Sequence, residues 1–278
     1  MQRIDAHQHF WKYNPTQYPW INDQMGLLKK DFMPEDLIPL LQNAHLDGCV
    51  AVQACQDESD NEFLLQLAEQ YDFIKGVVGW VDLRASQLPQ RLEYYGQFPK
   101  MKGFRHIIHD EPDIDFMLRP DLIKGVATLQ CFGYTYDILI FAKHLPNTVK
   151  FIKALPDDLP LVIDHIAKPN IQNREIEIWQ KHIKVIAQHK NLYCKISGMT
   201  TEARWRNWKK EDFTPYLDAV VEAFGTNRLI YGSDWPVCLL AANYDQQFNI
   251  VKEYFSDFSP TEQVKFFGEN AIKFYDLK

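Results

Sequence analysis

Arg3-Ile-Asp-Ala-His-Gln-His9 reads as a short strand that ends on two histidines one residue apart. Side chains on a strand alternate between its faces, so His7 and His9 point the same way. Seven more short β-branched or apolar runs follow, near Gly48–Ala54, Gly76–Val81, Gly103–Ile108, Thr135–Phe141, Leu161–Asp164, Leu192–Ile196 and Leu229–Gly232. Between them, Pro34–Ala44, Asn61–Tyr71, Leu118–Cys131, His144–Leu155, Glu175–His189 and Phe213–Phe224 carry apolar residues at three- and four-residue spacing, the pattern of helices that bury one face. Strand and helix in alternation mean parallel strands joined by crossovers, and eight of them predict an α/β fold, a closed (β/α)8 TIM-type barrel. No linker splits residues 1–278, so a single barrel domain is expected. Phe10–Asp31 and the Asp- and Pro-rich Asp110–Asp115 read as long loops on the C-terminal face of the strands, where barrels build their active sites.

Composition narrows the partners. Against 30 basic residues, 37 acidic ones give the chain a net charge of -7, which repels phosphate backbones and anionic lipid. A nucleic-acid partner is therefore not expected, and Arg204-Trp-Arg-Asn-Trp-Lys-Lys210 reads as exposed basic side chains with half-buried aromatics. Cys49, Cys55, Cys131, Cys194 and Cys238 are odd in number and never in a Cys-x2-Cys spacing, which predicts neither a disulfide framework nor a zinc knot. No basic-then-apolar leader opens the sequence, and no run approaches the roughly 18 apolar residues of a membrane span. The expectation is a cytoplasmic protein, without a membrane partner, that acts on a small molecule. Nothing in the sequence sets its oligomeric state.

Several strand ends carry chemistry. His7 and His9 can coordinate one divalent ion or hydrogen-bond a substrate oxygen, and the competing reading is a pair of barrel-filling histidines satisfied by backbone. The sixth strand stops abruptly at Asp164-His165; alone, His165 is better explained by a structural role, and its value lies in the residues that accompany it. The eighth runs Arg228-Leu-Ile-Tyr-Gly-Ser-Asp-Trp-Pro236 and puts Asp234 where the chain leaves the barrel. That carboxylate can ligate a metal, or take a proton from water and return it to a leaving oxygen, unless it and Ser233 merely form an Asx turn or helix cap. Arg105, on the fourth strand, supplies donors for a carbonyl or its oxyanion, or else pairs with an acidic loop residue. Lys195 on the seventh strand binds substrate or pairs with a carboxylate. His106, with Trp11, Trp80 and Tyr136 among the aromatic side chains at strand ends and in the first loop, completes the set of candidate substrate contacts.

Asp5-Ala-His-Gln-His9-Phe-Trp11, Gly103-Phe-Arg-His106, Asp164-His-Ile-Ala-Lys-Pro169, Lys195-Ile-Ser-Gly198 and Gly232-Ser-Asp-Trp-Pro236, each at a strand end and in this order, resemble the amidohydrolase-related family of sugar lactonases and dicarboxylate lactonases. The likeness covers essentially the whole chain. Within the family, Arg105-His106 before Asp110-Glu-Pro112, and Tyr136-Asp-Ile-Leu139, look most like L-fuconolactone hydrolases. The resemblance implies a carboxylic ester hydrolase with His7, His9, His165 and Asp234 at the ligand or catalytic positions. Binuclear members of the superfamily carry a bridging lysine or glutamate on strand four and a histidine on strand five. Arg105-His106 and Tyr134–Phe141 supply neither, so the implied cofactor is one divalent metal, zinc first among them, or none.

The expected mechanism has Asp234 deprotonate a water that attacks the lactone carbonyl, with the carbonyl held by Arg105 and by His7 or His9, and His165 orienting the water. Asp234 then returns the proton to the departing ring oxygen. No Gly-x-Ser-x-Gly elbow offers a covalent route. Two other readings stand beside it: a 2-pyrone-4,6-dicarboxylate lactonase or zinc-dependent decarboxylase of the same superfamily, and a barrel that binds sugar acids without turnover.

Overall fold

The structure, a computed structural model, describes residues 2–278. Eight parallel strands, β1 (Ile4–Gln8), β2 (Gly48–Val52), β3 (Ile74–Gly79), β4 (Met101–Ile107), β5 (Thr135–Leu139), β6 (Leu161–Ile163), β7 (Leu192–Ile196) and β8 (Leu229–Tyr231), pair in sequence order. The ring closes just beyond β1 and β8: Gln8 bridges Trp235, His9 N donates to Trp235 O at 2.7 Å, and Asp234 N donates to His7 O at 2.8 Å. The outer helices are α1 (Pro34–Ala44), α2 (Glu58–Gln70), α3 (Leu88–Tyr95), α4 (Pro120–Cys131), α5 (Leu145–Lys153), α6 (Glu177–Ile186), α7 (Thr214–Phe224) and α8 (Tyr244–Tyr254). This is the (β/α)8 barrel that the alternation predicts. Five of the helices, α1, α3, α4, α5 and α7, carry proline in the first turn, where its missing N–H leaves no intrahelical bond unmade.

The periodicity does not flag α3 or α8. Only eight residues long, α3 is a brief signal. On α8 the inner face includes a buried glutamine, Gln247, whose Oε1 accepts from Thr200 Oγ1 at 3.1 Å, so a polar residue interrupts the apolar stripe. Delay of the helix after β4 is as expected: Ile108–Asp110 and Phe116–Leu118 form single 3-10 turns before α4 begins.

Ile4, Ala6, Val50, Val52, Val78, Val162 and Ile230 fill the inside of the barrel. Two last helices, α9 (Pro260–Val264) and α10 (Asn270–Tyr275), joined by a π-helical turn, bring Phe274, Tyr275 and Leu277 under this cluster. Ala6 faces inward, so plain alternation would turn His7 out. Pairing with β2, however, advances three residues on β1, from Asp5 to Gln8, against two on β2, from Cys49 to Ala51. This bulge re-aims the chain. The two histidines share a face, as their spacing predicts, and the bulge makes it the inner one.

Loop anchoring has a titratable component. Asp60, in the first turn of α2, is fully buried; its Oδ2 accepts from Ala54 N at 2.8 Å and its Oδ1 from the Tyr18 hydroxyl at 3.2 Å, tying the β2–α2 turn to the first loop. Burial pushes this carboxyl up to about 6, against the hydrogen bonds that lower it. A carboxyl harder to ionise in the folded than in the unfolded chain contributes stability that is complete below about pH 4 and lost as pH rises through its folded value. Asparagine can keep both contacts, with Oδ1 toward the amide and Nδ2 toward the tyrosine oxygen. The Asp60→Asn variant should therefore gain stability relative to the parent as pH rises from about 4.5 to about 7.5, read by urea unfolding at the two ends. An offset that stays constant with pH would rule out burial of the charge as the cause.

Candidate active site

A pocket of about 320 Å³ opens at the C-terminal ends of the strands. His9, Arg105, His165 and Asp234, none more than 5% exposed, line its deep end. Aromatic and apolar walls come from Trp20, Phe141, Trp205 and Leu240, and a polar side from His109, Asp110, Lys168 and Glu202. Closure of the barrel makes this convergence. His7 and His9 leave β1 beside Asp234 leaving β8, so His9 Nε2 lies 3.4 Å and His7 Nε2 4.0 Å from Asp234 Oδ1. From the end of β6, His165 Nε2 reaches within 3.9 Å of the same oxygen.

His165 is delivered by an unusual backbone. His165, Ile166, Ala167 and Lys168 have φ of 53°, 49°, 60° and 44°, four consecutive left-handed residues of which none is glycine, a conformation that costs roughly 1–2 kcal/mol per residue. Such strain persists where surrounding structure over-determines it. Here Trp179 Nε1 donates to Ile166 O at 2.8 Å, and His165 Nδ1 lies 2.8 Å from Ser197 Oγ. The turn sends both His165 and Lys168 into the pocket. Lys168 Nζ stands 3.4 Å from Glu202 Oε1 and 5.4 Å from the centre of the Phe141 ring. Burial pushes the Glu202 carboxyl up, with Lys168 pulling the other way.

Beneath His7 lies a fully buried set of charges. Lys195 Nζ is 2.5 Å from Asp137 Oδ2, 3.1 Å from Asp164 Oδ1 and 3.1 Å from His7 Nδ1. Arg105 Nη1 donates to Asp164 Oδ2 at 3.0 Å and lies 3.2 Å from His7 Nε2, while Nη2 donates to Gln53 O at 2.5 Å. For Asp164, burial favours the neutral acid, but Lys195, His7 and Arg105 overcome it and hold the carboxyl well below its ordinary range. Burial pushes Asp137 up to about 6, with Lys195 opposing. Burial also drives the His7 and His165 imidazoles well below their ordinary value, which keeps both rings neutral.

The donor set fits one divalent ion. His7, His9 and Asp234 offer ligand atoms within 4.8 Å of one another, against about 3.4 Å between ligands of a tetrahedral zinc with bonds near 2.0–2.1 Å. His9 Nδ1 lies 2.8 Å from Val52 O, an outer contact that aims Nε2 at the centre. A second ion is not accommodated. His7, Asp164 and His165 also cluster, but Lys195 and Arg105 already surround Asp164, and the inward residue of β5 is Asp137, held by Lys195.

Other candidates from the sequence lie elsewhere. Trp11 is buried against Tyr18, Trp20 and Phe32 and donates to Lys30 O, a loop anchor rather than a pocket wall. Tyr136 alternates outward from Asp137 and packs on Phe151 of α5. His106 points away from Arg105, stacks on Phe116 and pairs with Glu111, and Trp80 Nε1 reaches its Nδ1 at 3.3 Å. Lys195 is sealed below the pocket. Conversely, Lys168, Glu202, His109 and Trp205 are pocket residues that sequence reasoning did not select. Lys168 sits inside the Asp164–Pro169 motif, but a left-handed turn without glycine leaves no signal in the residue types. Trp205 belongs to the run read as a solvated basic segment.

An eight-stranded barrel with a histidine pair on β1, a histidine after β6 and an aspartate after β8 defines a histidine–carboxylate centre of amidohydrolase type. The chain belongs to the amidohydrolase family, whose model matches residues 4–277. It is 40% identical to the L-fucono-1,5-lactonase of Burkholderia multivorans, across 99% of this chain and 96% of that one. The L-fucono-1,5-lactonase of Burkholderia ambifaria is 35% identical, again over 99% and 96%. A crystal structure of an amidohydrolase from Burkholderia multivorans with bound zinc superposes with a TM-score of 0.95 at 40% identity, covering 100% of both chains.

Two outcomes follow from this geometry. A Cβ on Gly198, whose φ is +60°, would lie 2.6 Å from His165 Nδ1. Gly198→Ala should displace the imidazole and lower turnover by about 10-fold or more, the scale of losing a group that orients a ligand, and parent-like turnover would dissociate His165 from catalysis. Metal analysis after zinc loading should find no more than one zinc per chain, and less in Asp234→Asn; a second equivalent would overturn the assignment of Lys195 and Arg105 as the cations of this centre.

Proposed function

We propose that the chain hydrolyses the lactone of a sugar acid, an aldonolactone of the L-fuconolactone type, to the open hydroxy acid. The observation that carries this is Asp234 with three imidazole nitrogens within 4.0 Å of one of its oxygens, at the floor of a pocket with aromatic walls and a polar side. Identity of 40% and 35% to two L-fucono-1,5-lactonases over almost the whole chain supports the substrate class. Trp20, Phe141 and Trp205 suit the apolar face of a sugar ring, and Lys168, Glu202, His109 and Asp110 its hydroxyls.

In the proposed mechanism Asp234 takes a proton from a water that His165 and His9 orient, and the water oxygen adds to the lactone carbonyl. Arg105, immobilised by Asp164 and Gln53, and Lys168 present positive charge to the oxyanion; a fixed charge in a buried site needs no reorganisation as negative charge develops. Collapse of the tetrahedral intermediate breaks the bond to the ring oxygen, which receives the proton from Asp234. A divalent ion held by His7, His9 and Asp234 would add Lewis-acid polarisation of a bound oxygen. A pyrone dicarboxylate is the poorer fit, because its two carboxylates call for several free cations and the pocket offers Lys168 beside an already engaged Arg105. Five free cysteines suit a reducing compartment such as the cytoplasm, and no described helix is long and apolar enough to cross a membrane.

Initial rates on a panel of aldonolactones and a pyrone dicarboxylate, followed with a pH indicator, test the reading. Turnover of a fuconolactone with none of the pyrone is expected. Asp234→Asn should lower kcat by at least about 100-fold, as loss of a general base does; retention of most activity would remove Asp234 from the mechanism.

A further inference from the structure

The deepest contact of the C-terminal helix is not apolar. Tyr275, fully buried on α10, donates its hydroxyl to Asp137 Oδ2 at 2.8 Å. The same oxygen accepts from Lys195 Nζ at 2.5 Å, and among the described residues Asp137 Oδ1 has no hydrogen-bond partner, so these are the two donors that support the carboxylate there. Lys195 Nζ lies 5.4 Å from the centre of the Tyr275 ring, and on its far side 3.1 Å from His7 Nδ1. The ammonium thus lies between three groups: Asp137, whose carboxylate accepts from it, the Asp164 carboxylate and the His7 ring. A buried carboxylate holds a cation only as well as its own remaining hydrogen bonds hold it.

We propose that Tyr275 is a positioning residue for the active site: through Asp137 its hydroxyl fixes the Lys195 ammonium, and Lys195 sets the orientation of His7. The chain of contacts runs from the sealed end of the barrel to the catalytic end with no water-accessible member. It gives Lys195 a role that its burial excludes for substrate contact. It also explains why a polar tyrosine, rather than another phenylalanine beside Phe274, occupies the barrel axis. The kinetic part of the inference rests on the lactonase reading, and the spectroscopic part does not.

Tyr275→Phe keeps the ring, its packing and its contact with the ammonium and removes only the hydroxyl. Folding of the variant is checked by circular dichroism, and kcat and KM are measured on the fuconolactone. We expect kcat to fall by about 10-fold, the lower end for groups that orient an active-site imidazole, with KM within about two-fold. The nitrogen resonances of the His7 imidazole should shift in Tyr275→Phe, and should not shift further when Tyr275→Phe is added to Lys195→Met. A merely structural hydroxyl would lower the melting temperature and leave both kcat and the His7 resonances at parent values, which overturns the proposal. So does an effect of Tyr275→Phe that persists undiminished in the Lys195→Met background. If the parent turns over no lactone, the lactonase reading fails, and the His7 resonances alone decide the inference.

Discussion

Asp164 is the ion on which the site is organised. Its two oxygens receive Lys195 on one side and Arg105 on the other, and His7 lies against it at 3.3 Å. A carboxylate with no exposure would ordinarily be expelled or protonated, because burying an unpaired charge costs several kcal/mol. With two cations in contact it stays ionised, and in turn it fixes where each cation can be. Arg105 then closes one side of the pocket floor, Lys195 supports His7 from below, and the next residue, His165, leaves the strand at the edge of the pocket. Replacing the carboxylate with an apolar side chain would leave Arg105 without its carboxylate and Lys195 with Asp137 alone.

This inner layer also explains the limits of one metal. Lys195 and Arg105 already neutralise Asp164, the carboxylate that a second cation beside His7 and His165 would need, and both are held by carboxylates of the barrel itself. The positive charge that another barrel obtains from a second ion is here supplied by side chains. Of the two, Arg105 reaches the pocket floor, whereas Lys195 is sealed beneath it against Asp137, Asp164 and His7.

The strand count, the parallel order and the helices with long apolar stripes were legible in the sequence because period and spacing are properties of residue type. So were His7, His9, His165 and Asp234, since histidines and carboxylates at strand ends stand out against apolar runs. What was not legible depended on direction. Tyr136 and His106 each sit one residue from an inward side chain, Asp137 and Arg105, and type alone does not say which neighbour faces in. Lys168 and Trp205 enter the pocket through a left-handed turn and an irregular loop, neither of which has a period. The bulge in β1 is likewise silent in the sequence, although it decides which face His7 presents.

The seam between β1 and β8 has a bearing on how the protein comes into being. His7 and His9 precede Asp234 by more than 220 residues, so they leave the ribosome long before it. Until β8 is released and paired beside β1, the histidines have no carboxylate opposite them, and Lys195 has no tyrosine below to steady Asp137. Contacts so distant along the chain form late in folding. A product cut short by premature termination or proteolysis before β8 would carry the β1 imidazoles without the Asp234 carboxylate that faces them in the closed barrel.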